Sequence, residues 1–424
     1  MKVKKIIDVI FTTVITVIVV FSISLFLSCD CDMKKVKNSL INFYTSMNLD
    51  ISTPTLQNVD LDSRTFNETG QCGNNSHWKR SSDGEVIVIY GNGELWNKSI
   101  FDGITKNEPE KGIRFVVFDE GITKIRSETI SGFIDLECVF LPSTLESIDS
   151  GALNFCDNLY SISFPNGNNE YEVVDSVLYS ENGKKLLKYP DAKKGTTFKI
   201  PESVTTIESY AFSNLKFLKK ITIPENVLKL CDRTFALNSE ALTEVIISDG
   251  VKDLGNALFY GCQNLKKVVL PSKIEKIPAY SFWQCSSLSE ITIPDGVYSI
   301  GYMSFAECKE LVKMVIPESV REIEGLAFWK CESLNEIILP KNLKTIGKNE
   351  KLCTNQRVFS DCISLKKIII PSGVSINASY VFKGWNENQT IYFCDSKPGF
   401  DWNDNWSEGC NAKLIWNYKK RKVD

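Results

Sequence analysis

Residues 242–333 read as four consecutive lines: LTEVIISDGVKDLGNALFYGCQN (Leu242–Asn264), LKKVVLPSKIEKIPAYSFWQCSS (Leu265–Ser287), LSEITIPDGVYSIGYMSFAECKE (Leu288–Glu310) and LVKMVIPESVREIEGLAFWKCES (Leu311–Ser333). Each line is 23 residues long, and Cys262, Cys285, Cys308 and Cys331 recur at that interval. A fixed period of about 20–29 residues with a Leu-x-x-Ile-x-Ile core is the signature of a leucine-rich solenoid, in which each unit buries its apolar face only against its neighbours.

With the leading Leu as position 1, apolar residues recur at 4, 6, 10, 13 and 18, and Cys stands at 21. In the second line these are Leu265, Val268, Leu270, Ile274, Ile277, Phe282 and Cys285. Positions 3 to 6 are predicted to form a short strand with alternate side chains inward. Pro271 ends that strand by removing an amide donor. One buried apolar side chain contributes roughly 1.5–3 kcal/mol, while ordering each residue costs roughly 1–2 kcal/mol in backbone entropy. A single coil therefore cannot stand alone, and stacking must supply the difference. More degenerate units continue the array at Gly112–Asp135, Leu136–Asn158, from Leu159, at Leu218–Ala241, Leu334–Ser364 and Leu365–Asn388. The expected fold is a curved leucine-rich repeat solenoid with a parallel β-sheet on one face and short helical or irregular segments on the other.

The unit at Leu159 is interrupted. Two apolar runs there, Val173 to Tyr179 and Leu186 to Tyr189, flank Glu181-Asn182-Gly183, a hairpin signal. The unit at Leu334 runs eight residues over the period, around 348–356. Ahead of the array, Cys72-Gly73, Trp78 and the run Glu85–Tyr90 read as a β-rich N-terminal cap for the open end of the solenoid. Behind it, Trp402, Trp406 and Trp416 read either as a seal on the last coil or as an aromatic platform for sugars.

The chain carries 424 residues, a net charge of −3 and one histidine, His77. The mixed charge gives no polyanion-binding character, so nucleic acid is not an expected partner. The single histidine and the lack of Gly-rich phosphate loops or nucleophile motifs argue against an enzyme, and no cofactor or metal is expected.

At the N-terminus, a basic MKVKK precedes a nearly uninterrupted apolar run from Val9 to Leu27. At ~1.5 Å per residue it rises close to the ~30 Å of a bilayer core. Three readings stand: an uncleaved signal anchor, a cleaved secretory signal, or a lipoprotein signal with Cys29 lipidated after Ser28. The expected placement is a membrane-anchored protein with the repeats outside the cell, the alternative being secretion. The domain reading is 1–32 anchor or signal, 33–71 juxtamembrane stalk, 72–111 cap, 112–393 solenoid (hairpin insertion near 166–195, insertion near 348–356), and 394–424 aromatic C-terminal cap with a basic tail.

Placed on the period, the outward position 3 runs Lys220, Glu244, Lys267, Glu290, Lys313, Glu336, Lys367, with unbroken alternation of sign. Parallel neighbours lie about 4.8 Å apart, so each charge is expected to meet its opposite on both sides. Position 5 beside it holds Thr222, Ile246, Val269, Thr292, Val315, Ile338 and Ile369, an outward β-branched stripe. The column reads as a register device or as part of a contact face, and an exposed apolar stripe beside it is a candidate protein-contact surface. Position 21 holds Cys156, Leu215, Asn238, Cys262, Cys285, Cys308, Cys331, Cys362 and Trp385. Cys and Asn sharing one place predicts an inward side chain hydrogen-bonded to loop backbone rather than a disulfide framework. The candidate disulfide is Cys394 with Cys410.

The pattern Leu-x-x-Ile-x-Ile-Pro-x-x-Val-x-x-Ile-x-x-x-Ala-Phe-x-x-Cys, seen at Leu311–Cys331, resembles the BspA-like leucine-rich repeat surface proteins. The Cys72-Gly73…Trp78 stretch, the Val177-Leu178-Tyr179…Tyr189-Pro190 excursion and the closing tryptophans are similar to that family too. The resemblance implies a surface-exposed protein that adheres to host proteins, matrix or neighbouring cells through the concave face, with no catalytic residues. The alternative is a cell-envelope or glycan-binding protein that uses the C-terminal Trp cluster.

Overall fold

Each Leu-x-x-Ile-x-Ile segment makes a short strand, and strands one repeat apart pair in parallel. The structure is a computed structural model that describes residues 55–101, 111–237, 239–347, 356–399 and 401–419. Thr197–Lys199, Lys220–Ile223, Glu244–Ile247 and Lys267–Val269 form one sheet, with Val245 opposite Ile221 and Val268. Lys313–Val315 pairs with Glu336–Ile338, and Lys367–Ile370, Thr390–Phe393 and Lys413–Ile415 form a further group. A second ladder of two-residue strands lies at positions 12 and 13, from Lys276–Ile277 through Ser299–Ile300, Glu322–Ile323 and Thr345–Ile346 to Ser375–Ile376. The protein is a parallel β-solenoid.

On the remaining side of each coil, of the expected short helical or irregular segments, the irregular alternative is the one observed. Among the described residues the helical segments are Leu56–Val59 and the 3-10 turn Leu61–Ser63, both ahead of the repeats. The coils turn instead through left-handed residues at position 16 (Ala257, Tyr280, Met303, with φ 54°, 59° and 52°) and position 20 (Gln284, Glu307, Lys330). Backbone amides between them bond the next coil: Phe259 N to Ser281 O at 2.8 Å, and Phe282 N to Ser304 O at 2.7 Å. A helix would spend those amides within its own coil. This third ladder ties coil to coil instead.

Position 18 fills the interior. Phe212, Phe235, Phe259, Phe282, Phe305, Phe328, Phe359 and Phe382 form a continuous stack, with successive centroids 5.1–5.8 Å apart. The coil pitch sets that spacing, which falls in the favourable range for offset rings.

The cap is an antiparallel meander of β1 (Phe66–Gln71), β2 (Gly73–Ser81) and β3 (Val86–Leu95). β3 then pairs in parallel with β4 (Phe115–Phe118), Val86 opposite Phe115, so the first coil's edge is covered. The cap starts earlier than composition suggested. The expected stalk, 33–71, is structured over its described part from residue 55: Val59 is buried against Val86, Val88 and Phe115, and β1 is the outer strand. A polar edge strand, with only Phe66 apolar in FNETGQ, carries no hydrophobic alternation to betray it. The excursion comprises Tyr171–Val174, Val177–Ser180 and Lys185–Lys188, with antiparallel neighbours, and Lys185–Lys188 then pairs in parallel with Thr206–Ile207. Its tighter turn is at Asp175-Ser176, both left-handed, and the Asn-Gly signal at Glu181–Gly183 marks the second. The anchor reading of residues 1–32, with Cys29, lies outside the described residues, as do 348–355 of the expected insertion. Among the described residues no helix is long and apolar enough to cross a membrane.

Candidate interaction surface

The charge column forms where the strands are paired. Glu244 sits between two lysines, 2.7 Å from Lys220 Nζ and 3.0 Å from Lys267 Nζ. Lys220 first, then Lys267, holds its carboxyl below the usual range by donating hydrogen bonds to the charged form. Lys313 meets Glu336 at 2.7 Å. Glu290 is exposed, its segment is not hydrogen-bonded as a strand, and it enters no ion pair among the described residues. Lys367 stands opposite Thr390 and, likewise, is not paired with Glu336. The seven-residue alternation therefore yields three ion pairs. The rest is lost where the strand face is interrupted, at Leu288–Pro294 and between Glu336–Ile338 and Lys367–Ile370.

The β-branched stripe is outward. Val269, Val315 and Ile338 are 41%, 50% and 45% exposed, while Ile246 and Ile369 are half-buried. Ile246 is directly opposite Val269, and Val315 opposite Ile338, so the apolar residues touch across strands beside the charge column.

Position 21 is structural. Cys262, Cys285, Cys308, Cys331 and Cys362 each donate through Sγ to the carbonyl of the Phe one coil earlier, at 3.1–3.2 Å. Trp385 takes the same place with Nε1 2.9 Å from Phe359 O. Cys394 and Cys410, the candidate disulfide, are free thiols. Cys394 follows the end of Thr390–Phe393, and Cys410 precedes the start of Lys413–Ile415. These strands run parallel, so roughly a strand length, ~10 Å for three residues, separates the sulfurs' backbones. A disulfide needs Cα atoms within about 7 Å.

The C-terminal tryptophans pack into the end of the solenoid. Trp402 and Trp406 are 9% and 7% exposed, and Trp402 Nε1 is spent on Val374 O at 2.8 Å. Trp416 stacks on Phe393 at 4.1 Å. They close the last coil. His77 lies in the cap, stacked on Tyr90. Sequence reasoning missed a buried ion pair, Lys188 Nζ to Asp191 Oδ1 at 2.6 Å, at the excursion's return to the coils. Burial pushes the Asp191 carboxyl up to about 6, with Lys188 pulling the other way. Neither residue falls on a repeat position, so the period gave no signal.

A family model described as the BspA type leucine rich repeat region matches in six copies, over residues 109–185, 189–312 and 275–398. Solved structures share the repeat type. A leucine-rich repeat protein from Eubacterium ventriosum has 21% identity and a TM-score of 0.44, over 74% of this chain and 94% of its own. One from Bacteroides ovatus has 21% identity and a TM-score of 0.41, over 78% and 98%. A leucine rich cell surface protein from Faecalibacterium prausnitzii has 17% identity and a TM-score of 0.34, over 65% and 95%. None of the curated proteins matches.

Proposed function

The chain belongs to the BspA-type leucine-rich repeat family, and on that premise we propose that it is a membrane-tethered surface protein that adheres to a partner protein through its strand face. The observation that carries this reading is the outward β-branched stripe, with Val269, Val315 and Ile338 exposed and the half-buried Ile246 opposite Val269, beside ion-paired charges. A soluble monomer gains nothing from leaving such a row in water. Apolar residues framed by charge suit a protein contact, in which the stripe desolvates and the charges at its border set orientation. The partner is a host, matrix or neighbouring-cell protein. The apolar run Val9–Leu27 supplies the tether, with the repeats outside the cell.

The test is capture of proteins from host and envelope extracts by the chain from residue 55 onward, compared with the triple variant Ile246→Asp, Val315→Asp, Ile338→Asp. Loss of the captured partner with unchanged β-structure by circular dichroism supports the strand face. Equal capture by the triple variant sinks it.

A further inference from the structure

The second ladder of the solenoid is broken at the excursion, and a cavity lies at that break. Ser147–Ile148 pairs on one side with Ile122–Ile125 but has no strand on the other. A side chain stands in for it: Ile148 N–H donates to the Tyr171 hydroxyl at 3.1 Å, and that hydroxyl donates to Glu146 O at 3.4 Å. The ladder resumes at Lys185–Lys188 with Thr206–Ile207. Between the two ends lies a cavity of about 380 Å³, within the size range of small-molecule sites.

Its charge is one-sided. Glu146, Asp149, Glu170 and Glu208 line it, and none is in an ion pair among the described residues. The two lysines of the lining are already neutralised, Lys185 by Glu181 and Lys188 by Asp191, both at 2.6 Å. A second observation points to a ligand. Asn154 lines the same cavity at 6% exposure, yet its carboxamide makes no hydrogen bond to the protein among the described residues. The amide is held beside Gly151, where an added Cβ would lie 2.9 Å from Asn154 Nδ2 and 3.8 Å from the Tyr210 ring. Apolar surface is supplied by Ile148, Leu178 and Leu187.

We propose that this break is a binding site for an organic cation, an ammonium or guanidinium group on a short aliphatic stem. The charge sits among the four carboxylates that lie outside ion pairs and donates to the Asn154 carboxamide oxygen, while the stem packs on the leucines. The same chemistry is offered by a free alkylamine and by a Lys or Arg side chain of a protein. The proposal is independent of the strand-face reading, because the residues and the probes are different.

Calorimetric titration of the full-length protein decides it, with agmatine, with the peptide acetyl-Gly-Arg-Gly-amide, and with its neutral citrulline counterpart. Saturable binding of a cation at a stoichiometry of one is expected, weakening as salt is raised, with no binding of the citrulline peptide. Binding of agmatine as tight as that of the Arg peptide assigns a free amine; binding of the Arg peptide alone assigns a protein side chain. Asn154→Leu should weaken binding by about tenfold. Glu146→Gln and Glu170→Gln, both at exposed positions where folding is not at stake, should each weaken it by about two- to fivefold. Absence of cation binding at millimolar concentration overturns the proposal. So does equal binding of the citrulline peptide, or an unchanged Kd in the two Gln variants.

Discussion

Cys285 Sγ lies 3.2 Å from the carbonyl oxygen of Phe259, one coil earlier, and donates to it. Four other coils repeat this contact, and Trp385 reproduces it with an indole N–H. What position 21 requires is a buried donor aimed at the preceding coil. Thiol chemistry is incidental. Burial pushes the thiols of Cys262 and Cys362 up to about 12 and those of Cys285 and Cys331 well above the ordinary value. The half-buried Cys231 is raised to about 11, with Glu208 adding to the effect of burial.

These thiols fix a pH dependence. The folded state keeps their protons to higher pH than the unfolded chain, whose thiols titrate near 9. Their contribution to stability is therefore complete below about pH 9 and is lost as pH rises toward 12. Each ladder thiol should steepen the fall by up to ~1.4 kcal/mol per pH unit in that window. Urea unfolding at pH 8, 9 and 10 should show a shallower fall for a variant with Cys285 and Cys308 replaced by Ala. Equal slopes for the two proteins would remove the ladder from the explanation. Iodoacetamide with peptide mapping should label Cys394 and Cys410 in the native protein well before Cys285.

The solenoid was legible because a 23-residue period with apolar positions 1, 4, 6 and 18 permits one stacking arrangement. The role of Cys285 followed from the exchange of Cys with Asn at one place. Three features were hidden for physical reasons. Left-handed turns at Tyr280 and Met303 use residue types that rarely adopt that conformation, so composition could not announce them. The edge strand Phe66–Gln71 is polar. The cavity at Asn154 arises where the repeat is interrupted, and a period says nothing about its own gaps.

The Lys188–Asp191 pair invites a double-mutant cycle. Both side chains are almost wholly buried, and Lys188 Nζ also lies 3.2 Å from Ser213 Oγ. Asp191→Ala leaves an ammonium group without its counter-charge and should cost about 3–5 kcal/mol. Lys188→Met with Asp191→Leu removes both charges and should recover most of that loss. Unfolding free energies of the two single variants and the double variant measure the coupling. A double variant as unstable as the sum of the singles would show the two groups to be independent.

Glu244 and Glu290 occupy the same repeat position, but Glu244 is half-buried on a paired strand between two lysines, while Glu290 is exposed in a segment that forms no strand. Glu244→Lys places three lysines side by side on hydrogen-bonded strands, at Lys220, 244 and Lys267. Glu290→Lys changes a residue that has no ion-pair partner among the described residues. The first substitution should lower Tm and the second should leave it nearly unchanged. The difference should shrink as salt is raised. Equal Tm values at low salt would show that the column contributes nothing to register.

Ala257 tests the left-handed turns. It stands at position 16 with φ 54°, and its amide bonds Ala279 O at 2.8 Å in the next coil. An L-residue in that conformation costs roughly 1–2 kcal/mol relative to a right-handed one, because Cβ crowds the following carbonyl. Glycine does not carry that cost, although its unfolded chain is freer by roughly 0.5–1 kcal/mol. Ala257→Gly should therefore be neutral or stabilising by up to about 1 kcal/mol, against the usual direction of that exchange. Ala257→Val adds a β-branched side chain in the same conformation and should destabilise the coil. Thermal unfolding of the two variants compares them directly. If Ala257→Gly destabilised as much as Ala257→Val, backbone strain would not be what distinguishes this position, and the tie between coils on the turn side would rest on the buried methyl group instead.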